Sequence, residues 1–340
     1  MAGFTSREVR LKNRPVGMPA PGDFEVATVD LGAPDDGQVL VRNRWMSVDP
    51  YMRGRMYDRE SYVPPFKLGE ALQGGAVGEV VESADPKLAP GDLVLSMLGW
   101  REGFVAPAAM LEKLPRLPGV PEEAFLGILG MPGLTAYGGF LEIGQPKEGD
   151  TVFVSGAAGA VGSAVCQIAK LKGCRVIGSA GSDEKCEWLR SVGVDHVVNY
   201  KTVGNLRAAV AEGAPKGIDI YFDNVGGEHL EVAIDLARPF ARLVECGMIA
   251  SYNDTQPAPG PRNMMMIVGK SLKIQGFIVS TLAAQVPDLQ DRFRADMGRW
   301  IAEGRIKWEE TVENGIEKAP DAFLKLFIGG NTGKMLVKLA

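Results

Sequence analysis

Histidine is almost absent from this chain: His196 and His229 are the only two in 340 residues. Its four cysteines, Cys166, Cys174, Cys186 and Cys246, contain no Cys-x-x-Cys pair. Zinc is ordinarily held by three or four Cys, His or carboxylate ligands. Neither histidine has a ligand-type neighbour at helical spacing, so no metal site is expected. The same cysteine spacing offers no disulfide framework, which suits a reducing compartment. Long apolar runs are scarce as well. The longest, "FLGILGMPGLTAYGGFL" (125–141), has 17 residues and carries five glycines and Pro132. A membrane-spanning helix needs about 20 predominantly apolar residues, so this run reads as a buried helix start and hinge. The opening "MAGFTSREVRLKNRP" lacks the apolar core of a signal peptide, and the expected location is cytoplasmic. There is no excess of positive charge: the net charge is −5, which argues against nucleic acid or an anionic membrane as the main partner.

What is present is an ordinary globular composition in a chain long enough for two cores. From about 24 to 114 the pattern is strands and turns ("FEVATVDL", "QVLVRNRWMSV", "GGAVGEVVES", "GDLVLSML"), punctuated by Pro and Gly as a barrel-like β domain requires. From 151 strands alternate with helices: "TVFVSG", "CRVIGSA", "HVVNY", "IDIYFDNVGG", "ARLVECG" and "LKIQGFIVS" read as strands, with a later helix at about 286–303. Such alternation means βαβ units and a parallel sheet, an α/β architecture. The strand pattern returns in "TVENG" and "KMLVKLA". The division expected is therefore 1–124 with 305–340 in one domain and 125–304 in the other.

"TVFVSGAAGAVGSAVCQIAKLKG" has the order strand, turn, helix that gives a glycine motif meaning. Gly159, Ala160, Val161 and Gly162 sit where a dinucleotide-binding turn would hold a pyrophosphate, with Ala157 replacing its first glycine. An NAD enzyme would place an acidic residue about 20 residues later, on the ribose 2′-hydroxyl. Here the second strand runs instead into "GSAGSDEK" (178–185), with no carboxylate from Gly178 to Ser182. Lys185 lies one turn into the next helix and Tyr200 ends the third strand, so the cofactor expected is NADPH, its 2′-phosphate bound by these two. Ligands of such sheets lie beyond the carboxyl ends of the strands. That rule nominates Asn224, then Cys246, Gly247, Met248, Ile249, Ser251 and Tyr252, and finally Phe277, Ile278 and Val279.

Several segments together make the chain resemble the zinc-free medium-chain dehydrogenases/reductases, in the branch of prostaglandin, alkenal double-bond and curcumin reductases. They are "SVDPYMRGRM" (47–56), "GMPGLTAYGG" (130–139), "GAAGAVGS" (156–163), "YFDNVGGE" (221–228), "GMIASYN" (247–253) and "GNTGK" (330–334). The resemblance implies a GroES-like β-barrel catalytic domain beside a Rossmann doubly wound parallel sheet, with the active site between them. It adds Asn331 to the NADPH site and turns Tyr51 and Tyr252 toward the substrate. Zinc-dependent relatives carry a His before the position of Glu70, where this chain has Gly69. The activity implied is reduction of the C=C bond of an α,β-unsaturated ketone or aldehyde: hydride adds to the β-carbon and a proton to the α-carbon. A quinone reductase and a non-catalytic NADPH-binding protein are the alternatives. Tyr252 is the candidate hydrogen-bond or proton donor, with Tyr51 second. A homodimer is expected, formed through the last strand of the sheet.

Overall fold

The computed structural model describes residues 4–340. Short apolar runs between glycine turns form six strands: β1 (Thr151–Val154), β2 (Arg175–Ala180), β3 (His196–Asn199), β4 (Ile218–Asp223), β5 (Ala237–Glu245) and β6 (Lys273–Gly276). All pair in parallel, in the order β3-β2-β1-β4-β5-β6. Helices α1 (Ala160–Leu171), α2 (Asp183–Ser191), α3 (Leu206–Gly213) and α4 (Glu228–Leu236) connect the first five strands. This is the doubly wound Rossmann arrangement, and the strand order reverses between β1 and β4, the switch point at which such sheets bind ligands.

The sheet is buried on both faces because its strands alternate between two apolar sets. Val152, Val154, Phe222 and Val244 join a core with α1 and the helices Met131–Gly138 and Leu289–Ala302. Phe153, Tyr221 and Leu243 belong to a second core with α3 and α4. Each such side chain removed from water contributes about 1.5–3 kcal/mol, which fixes the heights at which the strand ends emerge.

The remaining strands build a seven-stranded mixed sheet. Its order is Glu310–Asn314, Lys334–Lys338, Gln38–Ser47, Ala76–Ser83, Leu93–Ser96, Glu112–Lys113, and Gly103–Pro107 also pairs with Gln38–Ser47. The C-terminal strand enters it directly, with Leu336 opposite Ser47. A separate antiparallel pair joins Phe4–Leu11 to Phe24–Leu31.

Two expectations need correction. "LKIQGFIVS" is a strand only over Lys273–Gly276, and Val279 opens a helix, Val279–Gln285, instead of ending the strand. Leu282 anchors that helix in the core, and the good helix formers Ala283, Ala284 and Gln285 complete it. The following helix therefore starts at Leu289, not 286.

Candidate active site

The glycine turn after β1 is shaped by close approach. Gly156 has φ +56°, and a Cβ on Gly162 would stand 2.4 Å from the Gly156 carbonyl oxygen. Only glycine lets α1 start so near the strand, which opens its first amides toward a ligand. The turn is crossed by the chain entering the C-terminal strand: Gly333 N–H donates to the Ala158 carbonyl at 2.7 Å, and Gly159 and Gly333 form an isolated bridge. Asn331 lies in this crossing segment, its amide donating to the Gly333 carbonyl at 2.8 Å.

At the end of β2 the missing carboxylate becomes a space. A Cβ on Gly181 would meet the Tyr200 hydroxyl at 2.7 Å and Lys201 Cε at 3.2 Å. Ser182 caps α2 by accepting from the Lys185 backbone N–H. Lys185 Nζ donates to the Gly329 carbonyl at 2.8 Å. Its ammonium is held below its usual pKa, first by burial and then by the charge of Lys201. Asp183 is engaged by the Asn199 amide at 2.7 Å. Two lysines and a phenol thus converge where an NAD enzyme carries an acid, and a phosphate would relieve the repulsion between the lysines. The residues fit NADPH. Lys201 escaped the reading of the sequence, although it directly follows Tyr200.

The ends of β4 and β5 are tied together. The Asp223 carbonyl accepts from the N–H groups of Cys246 and Gly247, and the carbonyls of Asn224 and Val225 accept from the N–H groups of Ile249 and Ala250. Asn224 is fixed on β1, its amide donating to the Ser155 carbonyl at 2.8 Å and its N–H to Ser155 Oγ at 2.9 Å. Beyond this lies a cavity of about 480 Å3 lined by Cys246, Gly247, Met248, Ile278 and Thr281 among others. Phe277 lines it too. Its ring packs on Gly139 and edge-on to Phe222, a core role. Val279, at the start of its helix, does not line the cavity.

Tyr252 follows the short turn Ile249–Ser251, and its hydroxyl accepts the Met248 N–H at 3.3 Å. Among the described residues its own proton has no acceptor, which leaves it to be donated. Burial, opposed by the Met248 bond, raises the phenol above its ordinary pKa, so it stays protonated at neutral pH. The Tyr57 hydroxyl donates to the Tyr252 carbonyl at 3.0 Å, and Arg53 Nε to Asn253 Oδ1 at 2.9 Å. Through these bonds the segment Pro50–Met56 and the residue after it dock on the Tyr252–Asn253 turn. Tyr51, also raised by burial and then by Asp49, lies in the same segment and packs against the core there. Tyr62 adds a third phenol close enough for its charge to bear on both Tyr51 and Tyr252. Its role is not legible in the sequence, because the loop holding it has no periodic pattern.

Zinc does not fit these residues. No three His, Cys, Asp or Glu side chains cluster to hold an ion among the described residues. His196 Nε2 bonds the Ala209 carbonyl. His229 stacks on Phe153 and meets Tyr200 edge-on. It lies nearer the strand ends than its sequence position suggested, yet burial lowers its pKa to about 4, so it is no proton donor at neutral pH.

Two family models match: "N-terminal domain of oxidoreductase" over residues 7–114 and "Zinc-binding dehydrogenase" over 160–302. The chain is 45% identical to bovine (Bos taurus) prostaglandin reductase 1, covering 96% of this chain and 97% of that one. It is 42% identical to the NADPH-dependent curcumin reductase of Escherichia coli, over 97% and 96% of the two chains. The crystal structure of CurA from Vibrio vulnificus in complex with NADPH superposes with a TM-score of 0.91 at 41% identity, covering 98% of this chain and 99% of that one. The chain belongs to the zinc-free medium-chain dehydrogenase/reductase family. Its match to the model named for zinc covers the nucleotide-binding sheet, where the chain has no ligand set.

Proposed function

We propose that the cleft beside Tyr252 is the active site and that this phenol is the donor to the substrate. The enzyme is an NADPH-dependent oxidoreductase that reduces the C=C bond of α,β-unsaturated ketones and aldehydes, without a metal. NADPH supplies the hydride. Gly159, Ala160, Val161 and Gly162 would hold its pyrophosphate; Lys185, Tyr200 and Lys201 its 2′-phosphate; and Asn224, Cys246, Gly247, Ile249, Ser251, Ile278 and Asn331 the rest. One observation carries the assignment of the donor: the Tyr252 hydroxyl already accepts from Met248 N–H, which leaves its proton for a developing enolate oxygen. Tyr51 is read as a wall of the pocket and the second candidate donor. Following NADPH oxidation with enones of increasing size, and with a quinone in parallel, tests this reading. Faster turnover of the quinone than of every enone would favour the quinone reductase instead.

We further propose two domains, 1–124 with 305–340 and 125–304, and a cytoplasmic homodimer. The four free cysteines and the absence, among the described residues, of a helix able to cross a membrane support the location. The short edge strand β6, flanked by the exposed side chains of Met265 and Val268, supports pairing of two copies. Light scattering at micromolar concentration should give twice the chain mass; a monomer mass would refute the dimer.

A further inference from the structure

Asp223 and Glu245 end β4 and β5 directly opposite one another in the parallel register, so their side chains share one face of the sheet. Asp223 Oδ1 accepts four hydrogen bonds: from Ser155 Oγ at 2.8 Å, the Tyr221 hydroxyl at 2.6 Å, and the N–H groups of Val225 and Gly226 at 2.8 Å each. Four donors on one oxygen identify Asp223 as the ionised member. Its other oxygen, Oδ2, and both oxygens of Glu245 are buried without a partner. Two ionised carboxylates cannot be left so, because neither can donate to the other. Among the described residues no Lys or Arg forms an ion pair with either. The other titratable groups around them are Tyr221 on β4, Cys246 just after β5, His229 on α4 and Tyr252 further beyond β5. None of these brings a positive charge at neutral pH.

We infer that Glu245 is a neutral carboxylic acid whose proton bridges to Asp223 Oδ2, and that this bridge positions the Cys246–Tyr252 segment against the Asn224–Gly227 loop. Burial first, then the Asp223 charge and the bond to it, hold the Glu245 carboxyl well above the usual range. The consequence runs through Asp223. The same carboxylate caps Val225 and Gly226, binds Ser155 and so seats Asn224, while its backbone carbonyl holds Cys246 and Gly247. Glu245 is thus a positioning residue, and its role rests on the reading that these two loops carry the cofactor.

The test compares wild type with Glu245→Gln and Glu245→Ala. A proton held by the folded chain and released by the unfolded one gives stability that is full below about pH 4.5 and is lost as pH rises to about 9. Within that window each pH unit should shift the folding equilibrium of the wild type against it by up to about tenfold relative to Glu245→Gln, whose amide donates at every pH. Taking the difference between the two proteins removes the contributions of His229 and other groups. Between pH 7.5 and pH 10 the KM for NADPH should rise more in the wild type than in Glu245→Gln, because the loss of charge from Lys185 is common to both. At pH 7.5, where the bridge is intact, Glu245→Ala should raise the KM by about fivefold for one lost bond. Parallel stability profiles for wild type and Glu245→Gln would overturn the protonation. A wild-type KM for NADPH in Glu245→Ala at pH 7.5 would overturn the positioning role. Neither result would touch the cofactor reading, which fails only if the wild type does not bind NADPH.

Discussion

Replacing Tyr252 by Phe isolates the hydroxyl, since the ring that fills the turn remains. Two interactions are lost. The first is the bond from Met248 N–H, and Met248 is 39% exposed, so water can take over that donor. The cost to stability should stay below about 1 kcal/mol. The second is donation to the substrate oxygen, made strongly only as negative charge develops there. Removing one such donor typically lowers kcat by about 10²–10³. A cleft open enough to admit water can partly restore the proton, so the expected fall is about 10- to 100-fold. The KM for NADPH should change little, since the hydroxyl is assigned to the substrate side. Burial keeps the phenol protonated above its ordinary range, so the wild type should show no loss of kcat from Tyr252 ionisation up to about pH 10. The assay is NADPH oxidation with an enone, run with NADPH and its deuterated form so that an isotope effect proves hydride transfer to be rate-limiting. A near-wild-type kcat with that isotope effect intact would refute Tyr252 as donor and move the role to Tyr51, Tyr62 or a bound water.

Lys185→Ala should raise the KM for NADPH by about 10- to 150-fold, the loss of one charged contact, and leave that for NADH nearly unchanged. Lys201→Ala should act in the same direction; equal use of both cofactors by the wild type would end this argument. Gly333→Ala places a Cβ 1.8 Å from the Glu309 carbonyl oxygen at φ +64°, so it should cost more than about 2 kcal/mol in thermal unfolding and weaken NADPH binding across the glycine turn. An unchanged melting temperature would show that the crossing segment is loose. Elemental analysis should find no stoichiometric zinc, and a chelator should not slow turnover; zinc in active protein would overturn the ligand count.

The parts of the fold legible in the sequence are those governed by local rules. "TVFV" followed by the glycine turn and α1 needed only a strand-length apolar run, a turn that demands glycine and a helical pattern after it. The gap at Gly181 was legible for a related reason: its position is fixed by counting along one βα unit. "IQGFIVSTLAAQ" was not legible, because an apolar run of that length suits a strand or a buried helix equally, and periodicity alone does not separate them. The decision falls to Leu282, which finds a place in the core only once the helices Met131–Gly138 and Leu289–Ala302 are in position. Phe277 shows the same dependence on packing: its place after β6 puts it at the cavity, and Gly139 leaves room for its ring against the core.

The site divides along the same line. Lys185 and Tyr200 belong to successive units of one sheet, and their convergence follows from the strand order β3-β2-β1. Glu245 is different. In the sequence it is an acidic residue ending an apolar strand, and nothing local separates it from a solvated strand end. Its meaning depends on β5 lying beside β4 in a register that sets it against Asp223, 22 positions earlier. It depends also on four donors already occupying the Asp223 oxygen on the other side. A proton shared between strands belongs to the pairing and to neither residue alone. The chemistry most deeply hidden in a parallel sheet should therefore be sought where titratable groups meet across strand ends.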